Sequence, residues 1–87
     1  MATVFIPPQM RDATGGLTQA VVEASTLRQA FAAVEARFPQ LSPRLRDGDS
    51  LAPGLAVSID GEITSLGLLA SLRPDSEIHI LPAVGGG

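Results

Sequence analysis

The sequence contains no cysteine, no lysine, no tryptophan and no tyrosine. Without cysteine there can be no disulfide, no thiolate nucleophile and no thiolate metal site. Any sulfur chemistry must therefore use something other than a side-chain thiol. Aromatic residues make up only 3% of the chain against 45% hydrophobic residues, so the core must be built from Leu, Val, Ile and Ala around three phenylalanines. All six basic residues are arginines, scattered among nine acids for a net charge of -3. No basic stripe exists to hold nucleic acid or an anionic membrane. No run approaches membrane-spanning length and no signal-peptide pattern opens the chain, so a cytoplasmic location is expected. The 87 residues suit one domain with a modest core. They are too few for a catalytic cleft plus a cofactor-binding fold, so the expectation is a module acting through partners, not an enzyme.

What is present reads as alternating strands around one helix. Ala2 to Ile6 is a strand with Val4 and Ile6 on one face and Thr3 and Phe5 on the other. Pro7-Pro8 stops it, and a polar stretch closing with Gly15-Gly16 leads into a second strand from Leu17 to Glu23. The glycine pair lacks a phosphate-loop context and reads as a plain turn. Thr26-Leu27-Arg28-Gln29 is a capping box that opens a helix running to Phe38, where Pro39 ends it. Leu27, Ala30, Phe31, Val34 and Phe38 form its core stripe, while Arg28, Gln29, Glu35 and Arg37 are expected to face water. Ser42 to Asp49 reads as a charged loop with one helical turn around Leu45, and Asp47 and Asp49 are too few ligands for a metal site. Leu55 to Ile59 alternates as a strand, Asp60-Gly61 is a tight turn into Glu62-Ile63, and Leu66 to Leu72 carries no clear pattern. Arg73-Pro74-Asp75-Ser76 turns into a last strand, Glu77 to Leu81, expected at the sheet centre. Pro82 is expected to end its ladder.

This order predicts an α+β domain of the β-grasp (ubiquitin-like) kind over residues 1–82, a mixed sheet folded across one main helix. Residues 83–87, Ala83-Val84-Gly85-Gly86-Gly87, then form a thin C-terminal tail. Three glycines carry no Cβ and fit a channel too narrow for other residues. Fully extended, five residues reach roughly 16–18 Å, enough to carry a terminal carboxylate into a partner's buried site.

The chain resembles the ubiquitin-like sulfur carrier proteins of the MoaD/ThiS kind. The resemblance rests on Phe5-Ile6-Pro7, Arg11, Thr26-Leu27-Arg28, Phe38-Pro39, Leu45, Val57-Ser58-Ile59-Asp60-Gly61 and the glycine tail, in that order. Within the family, Ile6-Pro7, Thr14-Gly15-Gly16 and Ile80-Leu81-Pro82-Ala83-Val84 look most like the carriers of cysteine biosynthesis, and Gly85 adds a third glycine to the tail. The resemblance implies that an ATP-dependent adenylating enzyme activates Gly87 and that sulfur displaces AMP to leave a thiocarboxylate. It implies, as acceptor, an enzyme such as a cysteine synthase or the large subunit of molybdopterin synthase, with a metal-dependent peptidase as a further partner. No cofactor would be bound by the chain itself. A terminal carboxylate with a pKa of ~3.3–3.7 is ionised and a poor electrophile, which is why activation is needed. The alternatives are a molybdopterin-synthase or thiamin-type carrier, or a ubiquitin-like modifier conjugated through Gly87. Phe5, His79, Leu81 and Pro82 are expected to form an exposed patch at the tail root that partners grip. His79 by itself reads first as a half-exposed strand histidine and only second as a partner contact, with no catalytic or metal role.

Overall fold

The computed structural model describes residues 1–82. The expected tail, Ala83 to Gly87 with the thiocarboxylate position Gly87, lies outside the described residues. Strand β1 (Ala2–Phe5) pairs antiparallel with β2 (Gln19–Val22), α1 (Leu27–Arg37) follows, and a single turn α2 (Ser42–Leu45) leads into the short ribbon β3 (Arg46–Asp47) and β4 (Ser50–Leu51). Strands β5 (Leu55–Ile59) and β6 (Glu62–Ile63) form a hairpin, and β7 (Glu77–Pro82) closes the sheet in the order β2-β1-β7-β5-β6. The last strand is therefore central, parallel to β1 and antiparallel to β5. This is the β-grasp arrangement: a mixed sheet folded across one helix.

Period-2 alternation puts Ala2, Val4, Ala20, Val22, Val57, Ile78 and Ile80 under the helix, all buried. Leu27, Ala30, Phe31 and Val34 meet them from α1 and are fully buried. Phe38 is only half-buried, because it sits one residue beyond the helix with Arg37 stacked over its ring at 5.3 Å. The helix starts as its capping residues require: the Thr26 hydroxyl accepts the Gln29 N–H at 3.2 Å. The Gln29 side chain in turn accepts the Ser25 N–H at 2.8 Å. Leu41 and Leu45 seal the helix end of the core.

Two expectations are corrected. Glu35 does not face water: it is only 8% exposed, and Arg46 reaches it from β3 with its Nε at 2.9 Å. The pair runs across the helix and the ribbon, and the Glu35 carboxylate holds the Arg46 guanidinium above its ordinary pKa. The last strand runs one residue past its expected end at Leu81, since Pro82 lies opposite Leu55 as the last described residue of the ladder. A proline at a strand end loses only its missing donor, so the ladder tolerates it. The polar stretch after β1 forms a 3₁₀ segment, Pro8–Thr14, that buries Met10 and Thr14. Gly15 and Gly16 end it with positive φ of 67° and 93°, the left-handed region that glycine enters without a Cβ clash.

The unassigned stretch after β6 also acquires a form. A short 3₁₀ turn, Gly67–Leu69, buries Leu68 while leaving Leu66 and Leu69 exposed, and Ser71 bridges to Thr26.

Candidate functional site at the root of the terminal strand

Strand alternation decides what the outer face of the sheet presents. On β7, Ile78 and Ile80 point inward, so Glu77, His79 and Leu81 point outward. Because β1 and β7 run parallel, His79 falls opposite Phe5, and the two rings stack with centroids 4.3 Å apart and planes within 3°. Across β5, His79 faces the buried Ser58, and Leu81 faces Ala56. The four residues expected to make an exposed patch, Phe5, His79, Leu81 and Pro82, are thus brought together.

They line one shallow groove of about 520 Å³, with Pro7, Pro8 and Arg11 forming its opposite wall. That wall is held from outside. Arg44 of α2 grips Asp12 of the 3₁₀ segment through two bonds of 2.9 and 3.1 Å, and this guanidinium holds the Asp12 carboxyl below its ordinary range. Both side chains are well exposed, so the pair fixes geometry more than it adds stability. Arg11 donates its Nε–H to the Ile6 carbonyl at 3.1 Å, and the Thr14 hydroxyl lies within hydrogen-bond reach of the Arg11 and Leu17 carbonyls. The groove therefore has an aromatic and aliphatic floor, a rigid proline wall and one guanidinium.

At the other end of β7 a second arrangement fixes the strand. Asp60 and Gly61 occupy the two central positions of the β5–β6 turn with φ of 54° and 89°, as a primed hairpin turn requires. The Asp60 carboxylate accepts the Glu77 N–H and the Ser76 hydroxyl, each at 2.9 Å, and meets Arg73 at 3.1 Å. The Glu77 N–H above all, then Ser76, depresses the Asp60 pKa. Sequence spacing offers no sign of this cluster, because Arg73, Ser76 and Glu77 lie 13 to 17 residues from Asp60 and each reads as an ordinary turn or strand residue.

No acid stands beside His79 in the lining, and among the described residues no group of three His, Cys, Asp or Glu could hold a metal ion. No helix among them is long and apolar enough to cross a membrane. The groove lies at the Pro82 end of β7, with an apolar floor and no acidic side chain in its lining.

Comparison with known proteins agrees with that reading of the fold. The model of the ThiS family matches residues 4–87. A search of curated proteins finds no match. Among solved structures, a chain of the Amycolatopsis orientalis BexX/CysO complex is 30% identical, covers the whole of both chains and superposes with a TM-score of 0.90. Mycobacterium tuberculosis CysO, described as an antigen, is likewise 30% identical over 97% of this chain and 100% of its own, with a TM-score of 0.86. The small archaeal modifier protein 1 of Methanosarcina acetivorans shares the fold, with a TM-score of 0.81 at 23% identity over 99% of this chain and 95% of its own. The chain belongs to the ThiS family of ubiquitin-like sulfur carriers, close to CysO.

Proposed function

We propose that this chain carries sulfur as a thiocarboxylate on Gly87 and donates it in cysteine biosynthesis. The observation that carries the reading is the full-length similarity to CysO chains, one of them from a complex with BexX. The groove supports it physically. A carrier needs an apolar grip next to its terminus, so that binding energy from the globular part is used to position a distant reacting atom.

In the proposed sequence, a terminal carboxylate oxygen attacks the α-phosphorus of ATP on an activating enzyme and pyrophosphate leaves. A sulfur nucleophile then attacks the acyl carbon, and AMP departs with one of the original oxygens. The product is a terminal thiocarboxylate whose sulfur is offered to an acceptor enzyme. The carrier's own contribution is docking and delivery; ATP and the chemistry belong to its partners.

The test is intact mass after incubation with ATP, a cognate activating enzyme and a sulfur donor. Exchange of one oxygen for sulfur at Gly87 supports the carrier. Transfer of that sulfur to activated serine by a cysteine synthase supports the pathway, whereas transfer only to a pterin precursor assigns it to molybdopterin synthesis. Heavier species linked to lysines of other proteins, with no thiocarboxylate, would replace the carrier by a modifier.

A further inference from the structure

The arginines of this chain are not equivalent. Arg28, Arg44, Arg46 and Arg73 each meet a carboxylate of the chain itself, and Arg37 lies over the Phe38 ring. Arg11 has no carboxylate partner among the described residues, yet it lines the groove at the tail root, where no acidic side chain accompanies it. Its Nε is already committed to the Ile6 carbonyl. That bond fixes the plane of the guanidinium and leaves its two terminal nitrogens as a fork. An arginine cannot shed its charge, and a half-buried fork beside an apolar floor is suited to a bidentate carboxylate.

We infer that Arg11 is the polar anchor of the groove, taking a carboxylate side chain of the activating enzyme and so fixing the orientation in which the terminus is presented. The inference rests on the carrier reading above and names the partner chemistry at its docking site. Charge complementarity selects this occupant. The chain carries a net charge of -3, four of its six arginines already meet its own carboxylates and Arg37 lies over the Phe38 ring, so among the described residues this groove presents the arginine with neither kind of partner. A second copy of the chain is a poorer fit, because like net charges oppose its approach. Apolar contact with Phe5 and Leu81 would supply grip, and the ion pair would supply register.

The experiment measures initial rates of thiocarboxylate formation for the wild type, Arg11→Gln and Arg11→Lys at several ionic strengths, varying carrier concentration. Loss of a charge-assisted hydrogen bond is expected to raise KM roughly ten- to a hundredfold in Arg11→Gln, with kcat unchanged. Arg11→Lys should recover part of that loss, since it restores charge without the fork. The salt dependence of kcat/KM should flatten in Arg11→Gln, which a purely structural role would not produce. Gln19→Glu serves as the companion variant. It places an acid in the groove while leaving the Arg11 to Ile6 bond intact, and it should raise KM in a way that high salt relieves. Wild-type KM and salt slope in both Arg11→Gln and Gln19→Glu would overturn the inference, as would a fall in kcat at unchanged KM. Failure of the wild type itself to be activated would overturn the carrier reading and this inference with it.

Discussion

Breaking the Glu35–Arg46 pair from either side should give unequal costs. The Glu35 side chain is 8% exposed on α1, whereas the Arg46 side chain that reaches it from the ribbon is 23% exposed. Arg46→Met keeps the aliphatic stem but strands the Glu35 carboxyl with little access to water. Removing one partner of a buried pair in this way costs ~3–5 kcal/mol. Glu35→Gln leaves a guanidinium that can swing its head into solvent and still meet an amide oxygen, so the loss should be nearer ~1–2 kcal/mol, that of one charged hydrogen bond. A domain of this size has roughly 4–13 kcal/mol of total stability, so the larger loss would be visible as a large fall in the denaturation midpoint. Urea unfolding of both single variants and of the double variant measures the effect. The double variant should be more stable than the sum of the singles implies, by ~1–3 kcal/mol, because it leaves no orphaned charge. Equal costs for the two singles, or strictly additive losses, would refute the view that burial of Glu35 sets the balance.

Phe31→Ala removes a fully buried ring from between helix and sheet and should cost ~3–5 kcal/mol by chemical denaturation; a change under ~1 kcal/mol would place Phe31 outside the core. Leu81→Asp should leave the denaturation midpoint nearly unchanged, because Leu81 is 36% exposed on the outer face, yet abolish binding to the activating enzyme in a titration by calorimetry. A folded variant that binds normally would refute the docking role. Asp60→Asn should lower stability at neutral pH. Because the folded-state pKa of Asp60 is depressed, its contribution is present above the unfolded carboxyl value of ~3.9 and is lost as pH falls through the lower folded value. The gap between wild type and Asp60→Asn in urea midpoints should therefore narrow from pH 7 to pH 2, and a constant gap would contradict the assignment.

Much of this fold is local and hence readable. Val4 and Ile6, Val57, and Ile78 and Ile80 announce their inward faces by period-2 spacing, and Thr26 with Gln29 announces the helix start by side-chain chemistry alone. The patch Phe5, His79 and Leu81 could be placed together because the strand order and the alternation jointly require it. What stayed hidden depends on partners distant in sequence. Glu35 looks like any solvent-facing helix acid until Arg46, 11 residues on, is folded against it. The wall of the groove required the Arg44 to Asp12 contact across 32 residues. Leu66 and Leu69 could not be assigned a face, since a three-residue 3₁₀ turn imposes no period long enough to recognise.

The Asp60 cluster has a consequence at the opposite end of β7. A six-residue strand spans roughly 17 Å between its first and last Cα, and the carboxylate fastens the first residue while the groove surrounds the last. The strand thus behaves as a gauge rod anchored at one end. A slip of one residue would turn Ile78 and Ile80 out of the core and His79 into it, so the smallest tolerable error is two residues, roughly 7 Å. Such an error would also tear Glu77 from Asp60. The position at which β7 delivers Pro82 is therefore quantised, with one setting strongly preferred. Under the carrier reading proposed above, a partner docked on the groove would meet the end of β7 at one fixed depth.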